Sequence, residues 1–131
     1  MKESLLKVNI DWLKNTYFSD PARRIQLKPG EVLLRQDQHN ERLFFVIEGA
    51  LRGFLNYESD EPFEAFRSTP YHFVGVYSYF SHTHKSYSTV IAETDCELAY
   101  IEGDQADADG ASFAEHFLPV VVEEIYMRQL L

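Results

Sequence analysis

The chain has 131 residues, a length that fits one domain over 1–131 and leaves no room for two ordinary ones. Its hydrophobic fraction of 45% and aromatic fraction of 15% exclude a disordered chain and favour strands. A net charge of −9 without a run of Lys and Arg excludes general attraction to nucleic acid, and a lone cysteine, Cys96, excludes an internal disulfide. No apolar run approaches the roughly 20 residues of a membrane span, so a cytoplasmic protein is expected.

The first predicted element is a helix over residues 4–18, because apolar residues recur there at every third or fourth position. Asp20-Pro21 ends it, since the residue before a proline is pushed out of the helical region. Short strands then follow, with turn signals roughly every 8–12 residues. They are predicted over residues 24–27, 32–35, 43–48, 50–57, 62–67, 71–77, 87–92 and 96–101.

After Gly103 the pattern returns to helix, first as a short helix or turn over residues 104–110 and then over 112–131. Pro119 predicts a break or a new start inside the second of these. A closed barrel leaves no strand edge exposed. The order therefore predicts a mainly β fold, a double-stranded β-helix (jelly-roll) barrel with flanking N- and C-terminal helices.

The segment 27–54 reads LKPGEVLLRQDQHNERLFFVIEGALRGF. It has a Pro-Gly turn, a short apolar strand, a polar loop, a Leu-Phe-Phe-Val-Ile strand, a glycine and a strand with Arg. This order resembles the opening of the cyclic-nucleotide-binding domain of the bacterial Crp–Fnr transcription regulators. Segments 71–75 and 88–101 are similar to the strand that enters the phosphate-binding cassette and to the two strands after it. The resemblance implies a ligand-sensing regulatory domain rather than an enzyme, and no cofactor.

The cassette departs from the pattern of the nucleotide-binding members. In those members a Gly-Glu pair holds the ribose, and a later Arg neutralises the cyclic phosphate. Here Gly75 matches, but Val76 stands at the Glu position and Ser86 at the Arg position. Loss of a bidentate Arg–phosphate pair costs about 2–4 kcal/mol of binding free energy. An effector other than cyclic AMP is therefore expected.

The resemblance places a ligand pocket among seven residues, where backbone N–H groups are suited to a nucleotide-like or other anion. They are Gly75, Val76, Tyr77, Ser86, Tyr87, Ser88 and Thr89. Two alternatives stay open. One is a ligand-free dimerisation scaffold with a filled pocket. The other, less favoured, is a cupin-like metal-binding protein that uses His82 and His84, although this pair lies in a polar loop and the next Glu, Glu93, is distant.

In the resembling family the last helix joins two subunits and a DNA-binding domain follows it. Residues 112–131 are accordingly expected to form part of a dimerisation helix in a homodimer. The residues expected at its interface are Phe117, Val121, Val122, Ile125 and Leu130. The chain alone is not expected to bind DNA. If it is a fragment, DNA binding belongs to a missing C-terminal domain.

Overall fold

A computed structural model describes the backbone of residues 2–109 and 111–129 and the side chains of residues 5–108 and 111–127. Helix α1 spans Lys2–Tyr17, α2 spans Val76–Phe80, and α3 spans Ala111–Gln129, with a 3₁₀ turn at Asp107–Asp109. The strands are β1 Arg24–Leu27, β2 Val32–Leu34, β3 Arg42–Glu48, β4 Leu51–Leu55, β5 Phe63–Ser68, β6 Phe73–Val74, β7 Thr89–Ala92 and β8 Cys96–Glu102. The predicted mainly β fold with helices at both ends is confirmed.

The strands form two antiparallel sheets of four, in the orders β1-β8-β3-β6 and β2-β7-β4-β5. The longest pairing joins β3 to β8, with Leu43 opposite Ile101 and Phe45 opposite Ala99. In the second sheet β4 lies between β5 and β7. The pairings of the described residues thus give two sheets, and closure into a jelly-roll barrel stays a prediction.

Strand β3 separates two hydrophobic clusters, because successive side chains of a strand point to opposite faces. Leu43 and Phe45 pack with the helices, whereas Phe44 and Val46 pack with the side chains of the other sheet. All four are buried, which explains the unbroken apolar run in the sequence. One face of this sheet therefore carries the helical layer and the other faces the second sheet.

Helices α1 and α3 pack against each other over that helical face, and the Trp12 ring stacks on His116 with centroids 3.7 Å apart. Helix α3 runs without a break through Pro119, which corrects the predicted interruption. Phe117 and Val120 are buried on either side of the proline, so packing keeps both halves in line. None of the described helices has the length and apolar character that a bilayer span requires.

The exposed face of α3 differs from the one expected at a dimer interface. Phe117 and Val121 are only 4% and 8% exposed because they belong to the helical cluster, so they are not free to meet a partner helix. Val122 and Ile125 are 61% and 49% exposed. Leu130 lies outside the described residues. A dimer interface on this helix stays a prediction; the exposed stripe of its described residues consists of Leu118, Val122 and Ile125.

The strand predicted over residues 71–77 is confined to β6, because Gly75 adopts a left-handed φ of 83° and caps the start of α2. Glycine takes this conformation without the steric cost that a Cβ brings. A short helix in place of the strand's second half turns the chain away from the sheet. It puts Val76 and Tyr77 at the edge of the pocket described next.

Candidate functional site

A cavity of about 620 Å³ opens beside β5, β6 and α2, within the usual size range of small-molecule pockets. Its walls come from both sheets, from α2, from the segment before β7 and from α3. The lining residues are Leu34, Phe63, Ala65, Phe66, Phe73, Val74, Gly75, Val76, Tyr77, Ser78, Ser86, Tyr87, Ser88, Val90 and Ile125. The second sheet and the C-terminal helix therefore meet the cassette in one pocket.

The structure brings together six of the seven residues that the sequence assigned to ligand binding. Those six are Gly75, Val76, Tyr77, Ser86, Tyr87 and Ser88. Thr89 is not among the residues that line this cavity. It is buried, and its Oγ1 accepts a hydrogen bond of 3.0 Å from the backbone N–H of Gln36. A role in binding stays a prediction for the other six.

Asn40 fixes the position of α2 beside the pocket. Its buried side chain donates from Nδ2 to the carbonyl oxygen of Arg42 and to Oγ of Ser78, both at 2.8 Å. A Cβ on Gly75 would lie 3.0 Å from the same Arg42 oxygen, closer than ordinary packing allows. The glycine and the asparagine together let α2 approach β3. Sequence reasoning found Gly75 and missed Asn40, which lies in a loop with no helical or strand period.

Phe66 is part of the β5 wall, and its ring packs closely against Gly53, its partner in β4. A Cβ on Gly53 would come within 2.2 Å of the ring. A glycine inside a strand often marks such a close approach. That is the signal in the sequence from which this wall could have been inferred.

The segment before β7 is tied to the loop between β2 and β3. The N–H of Ser86 donates to the carbonyl of Gln38, and the N–H of Asp37 donates to the carbonyl of Ser86, both at 2.8 Å. The Ser86 hydroxyl donates to the carbonyl of Ser88, also at 2.8 Å. At the position where nucleotide-binding members carry an arginine, this chain therefore has a buried hydroxyl that is already bonded internally.

Among the residues that the structure describes, none that lines the pocket is a Lys, Arg, His, Asp or Glu. On β4 and β5, Arg52 makes two hydrogen bonds to Glu64, of 2.7 and 2.8 Å, and Arg67 of β5 pairs with Glu93. The Arg52 hydrogen bond lowers the pKa of Glu64 below its ordinary value. Both guanidinium groups thus already have carboxylate partners.

The predicted histidine pair does not converge on a shared ion. His84 bonds through Nδ1 to the carbonyl of Ser78 at 2.9 Å, and its Nε2 lies 3.8 Å from Glu41. Glu41 is also bonded by His39 at 2.9 Å, which lowers the pKa of the carboxyl group. His82 is exposed in the turn. In the described part of the chain, no three His, Cys, Asp or Glu side chains are grouped to hold a metal ion.

Helix α3 is joined to the floor of the pocket by a buried carboxylate. Oε1 of Glu124 accepts a hydrogen bond of 2.8 Å from the backbone N–H of Phe73, and Glu124 is 5% exposed. The next residue, Ile125, lines the pocket. Sequence reasoning assigned Ile125 to a dimer interface alone. Its contact with the pocket depends on the packing of α3, which no local pattern reveals.

The sequence model of the cyclic nucleotide-binding domain matches residues 24–108. No curated protein sequence matches the chain. Among solved structures, a transcriptional regulator from Thermotoga maritima is 19% identical with a TM-score of 0.64, over 82% of this chain and 87% of that one. The N-terminal domain of a transcriptional regulator from Streptomyces coelicolor is 18% identical with a TM-score of 0.60, over 79% and 74%.

The catabolite activator protein of Thermus thermophilus is 16% identical with a TM-score of 0.61. That match covers 97% of this chain but only 54% of the Thermus protein, which therefore has a large part with no counterpart here. At these identities the three structures show a shared fold.

Proposed function

Since the chain belongs to the cyclic nucleotide-binding domain family, we propose that it is a ligand-sensing regulatory domain of a Crp–Fnr-type transcription regulator whose effector is not cyclic AMP. The observation that carries the proposal is the pocket of about 620 Å³, which lies at the cassette and is lined in part by Ile125 of α3. A ligand in this pocket touches both the β fold and the C-terminal helix.

Cyclic AMP is a poor match for the walls of this pocket. Val76 has no carboxylate for the ribose hydroxyl, and the Ser86 hydroxyl is already bonded to the Ser88 carbonyl. A cyclic phosphate there would lose water without gaining a cationic partner from the lining side chains that the structure describes. Desolvating an unpaired ion is costly, and the missing charge-assisted bonds are worth about 1.5–3 kcal/mol each.

The proposed signal runs from the pocket to α3. Ile125 lies in the wall, and Glu124 holds the backbone of Phe73, one residue before Val74 in the floor. A ligand that fills the space beside Ile125 favours helix positions that keep this contact, which is a population shift. The proposal includes no catalytic step, because none of the described lining residues carries an imidazole, carboxylate, amine or thiol to move a proton or attack a substrate.

We further propose a homodimer that forms through α3. The exposed stripe of Leu118, Val122 and Ile125 has the four- and three-residue spacing of a two-helix seam. A ligand-free dimerisation scaffold is the second candidate function, and this stripe is what favours it. DNA contact is proposed for a region outside this chain, since the net charge of −9 disfavours it here.

The test is a thermal-shift titration with cyclic AMP on the natural chain and on the double variant Val76→Glu/Ser86→Arg. We expect no shift for the natural chain and a raised melting temperature for the variant, since saturation at 100 times the dissociation constant stabilises by about 2.7 kcal/mol. The matched control is Val76→Gln/Ser86→Gln, which adds similar bulk without charge.

A shift with cyclic AMP on the natural chain would refute the proposed effector. No shift with the charged variant, together with a dimer that Val122→Glu dissociates in analytical ultracentrifugation, would favour the scaffold instead.

A further inference from the structure

The charge and polarity of the pocket indicate the chemistry of its ligand. The described lining side chains are aliphatic, aromatic or hydroxyl-bearing, and none is charged. The whole chain carries a formal net charge of −9, so the surrounding field also opposes an anion. A cation would equally lack a carboxylate partner in the wall. An uncharged ligand therefore fits this lining best, because it brings no charge that would be buried without a partner.

Large apolar side chains gather at the mouth of the pocket and face water. Phe63, Tyr77 and Tyr87 line it and are 63%, 60% and 55% exposed. The Tyr77 and Tyr87 rings are edge to face, with centroids 6.3 Å apart. Apolar surface around an opening marks a place where another apolar surface binds. Aromatic rings favour a flat aromatic guest, which they contact by offset or edge-to-face packing.

One polar side chain in the lining makes no hydrogen bond with a described residue. Ser88 is 3% exposed, and its side chain makes no hydrogen bond with any described residue. The neighbouring Ser86 hydroxyl, by contrast, is bonded to the Ser88 carbonyl. Among the described residues, the buried side-chain atom without a partner is Nε of Arg24, so the Ser88 hydroxyl is open to the cavity, where water or a ligand can bond to it. Ser88 is therefore suited to a single hydroxyl or N–H group on the ligand.

Resting on the proposed function, we propose that the effector of this pocket is an uncharged, flat aromatic molecule whose one polar group hydrogen-bonds to the Ser88 hydroxyl. The aromatic part lies against Phe66 and the two tyrosines at the mouth. Its inner edge reaches Ile125, through which α3 responds. The ligand is then neutral, in place of the anion that the sequence led us to expect.

The experiment uses a matched pair of probes, 1-naphthol and 1-naphthyl phosphate, titrated into the chain by isothermal titration calorimetry. The two share the ring system and differ in charge. We expect 1-naphthol to bind and 1-naphthyl phosphate to bind at least about 30-fold more weakly, because its phosphate would lose water without gaining charge-assisted hydrogen bonds.

Three variants locate the binding and test the polar contact. Ser88→Ala should weaken 1-naphthol by about 5- to 10-fold while leaving naphthalene, which has no hydroxyl, unchanged. Tyr87→Ala removes an exposed side chain at the mouth and should weaken both neutral probes. Ser86→Arg should raise the affinity for 1-naphthyl phosphate above that for 1-naphthol. An unchanged melting temperature in each variant would show that the fold is kept.

The outcomes separate the inference from the proposed function. Equal or tighter binding of the phosphate to the natural chain would overturn the neutral ligand and leave a ligand sensor in place. Binding of 1-naphthol that Ser88→Ala and Tyr87→Ala do not alter would place the probe elsewhere and overturn the inference too. Failure of both probes with the natural chain would also overturn it. The proposed ligand-sensing function is refuted only if the Val76→Glu/Ser86→Arg variant also fails to bind cyclic AMP.

Discussion

Replacing Gly53 with alanine tests how the β5 wall of the pocket is built. The new Cβ would lie 2.2, 2.3 and 2.7 Å from three carbon atoms of the Phe66 ring. To regain a carbon–carbon contact of about 3.5 Å, the ring has to retreat by about 1.3 Å. Overpacking of this kind costs about 1–3 kcal/mol. For a chain of this length that lowers the melting temperature by about 4–12 °C.

The assay is a double-mutant cycle in urea, with Gly53→Ala, Phe66→Ala and the pair. Once the ring is absent, the added Cβ meets no obstacle, and an alanine in a strand is more stable than glycine by about 0.5–1 kcal/mol. Gly53→Ala should therefore change sign between the two backgrounds, from destabilising to neutral or stabilising. An equal loss in both would refute the contact with Phe66 as the reason for this glycine.

Further predictions concern two glycine turns, the buried carboxylate of α3 and the single cysteine. Gly49→Ala should cost at least about 2 kcal/mol by urea unfolding, because its φ is 90° and a Cβ would lie 2.1 Å from a carbonyl oxygen. Gly30→Ala, with φ of 87° and open space, should cost only about 1–2 kcal/mol. Glu124→Ala should cost about 1–3 kcal/mol by orphaning the buried N–H of Phe73, and Glu124→Gln, whose amide oxygen still accepts this bond, should cost less; equal losses would mean that this bond is not the main source of the loss. Burial raises the pKa of the Cys96 thiol, so iodoacetamide at pH 8 should label it slowly until urea unfolds the chain, as mass spectrometry would show.

The strand framework was predictable because its signals are local. The run from Leu43 to Val46 has to be buried on both faces, and β3 indeed lies between two clusters. The Pro29-Gly30 turn before β2 was also predicted, and Gly30 has the left-handed φ of 87° that such a turn needs. Such features depend on a few neighbouring residues, so the chain alone reveals them. They also brought six of the predicted site residues to one pocket.

The features that escaped prediction depend on contacts between distant segments. Thr89 has the right neighbours in sequence, but its hydroxyl is bonded by the N–H of Gln36. Phe117 and Val121 share the apolar character of Val122, and only the packing of α3 decides which of them is buried. Pro119 was expected to break a helix that tertiary contacts keep whole. Local propensity is overridden in each case by packing.

Ile125 is the point where the two proposed roles of α3 meet. It lines the pocket and is still 49% exposed, so a ligand and a partner helix would each cover part of the same side chain. A ligand that covers Ile125 buries apolar surface of this side chain. That surface is then no longer available to a partner helix that packs on Leu118, Val122 and Ile125. A ligand that binds the monomer and the dimer with different affinities changes the dimerisation constant. By linkage, dimerisation changes the affinity for the ligand by the same factor. Ile125→Ala should therefore weaken 1-naphthol binding and the dimer together, whereas Val122→Ala, which does not line the pocket, should weaken the dimer alone.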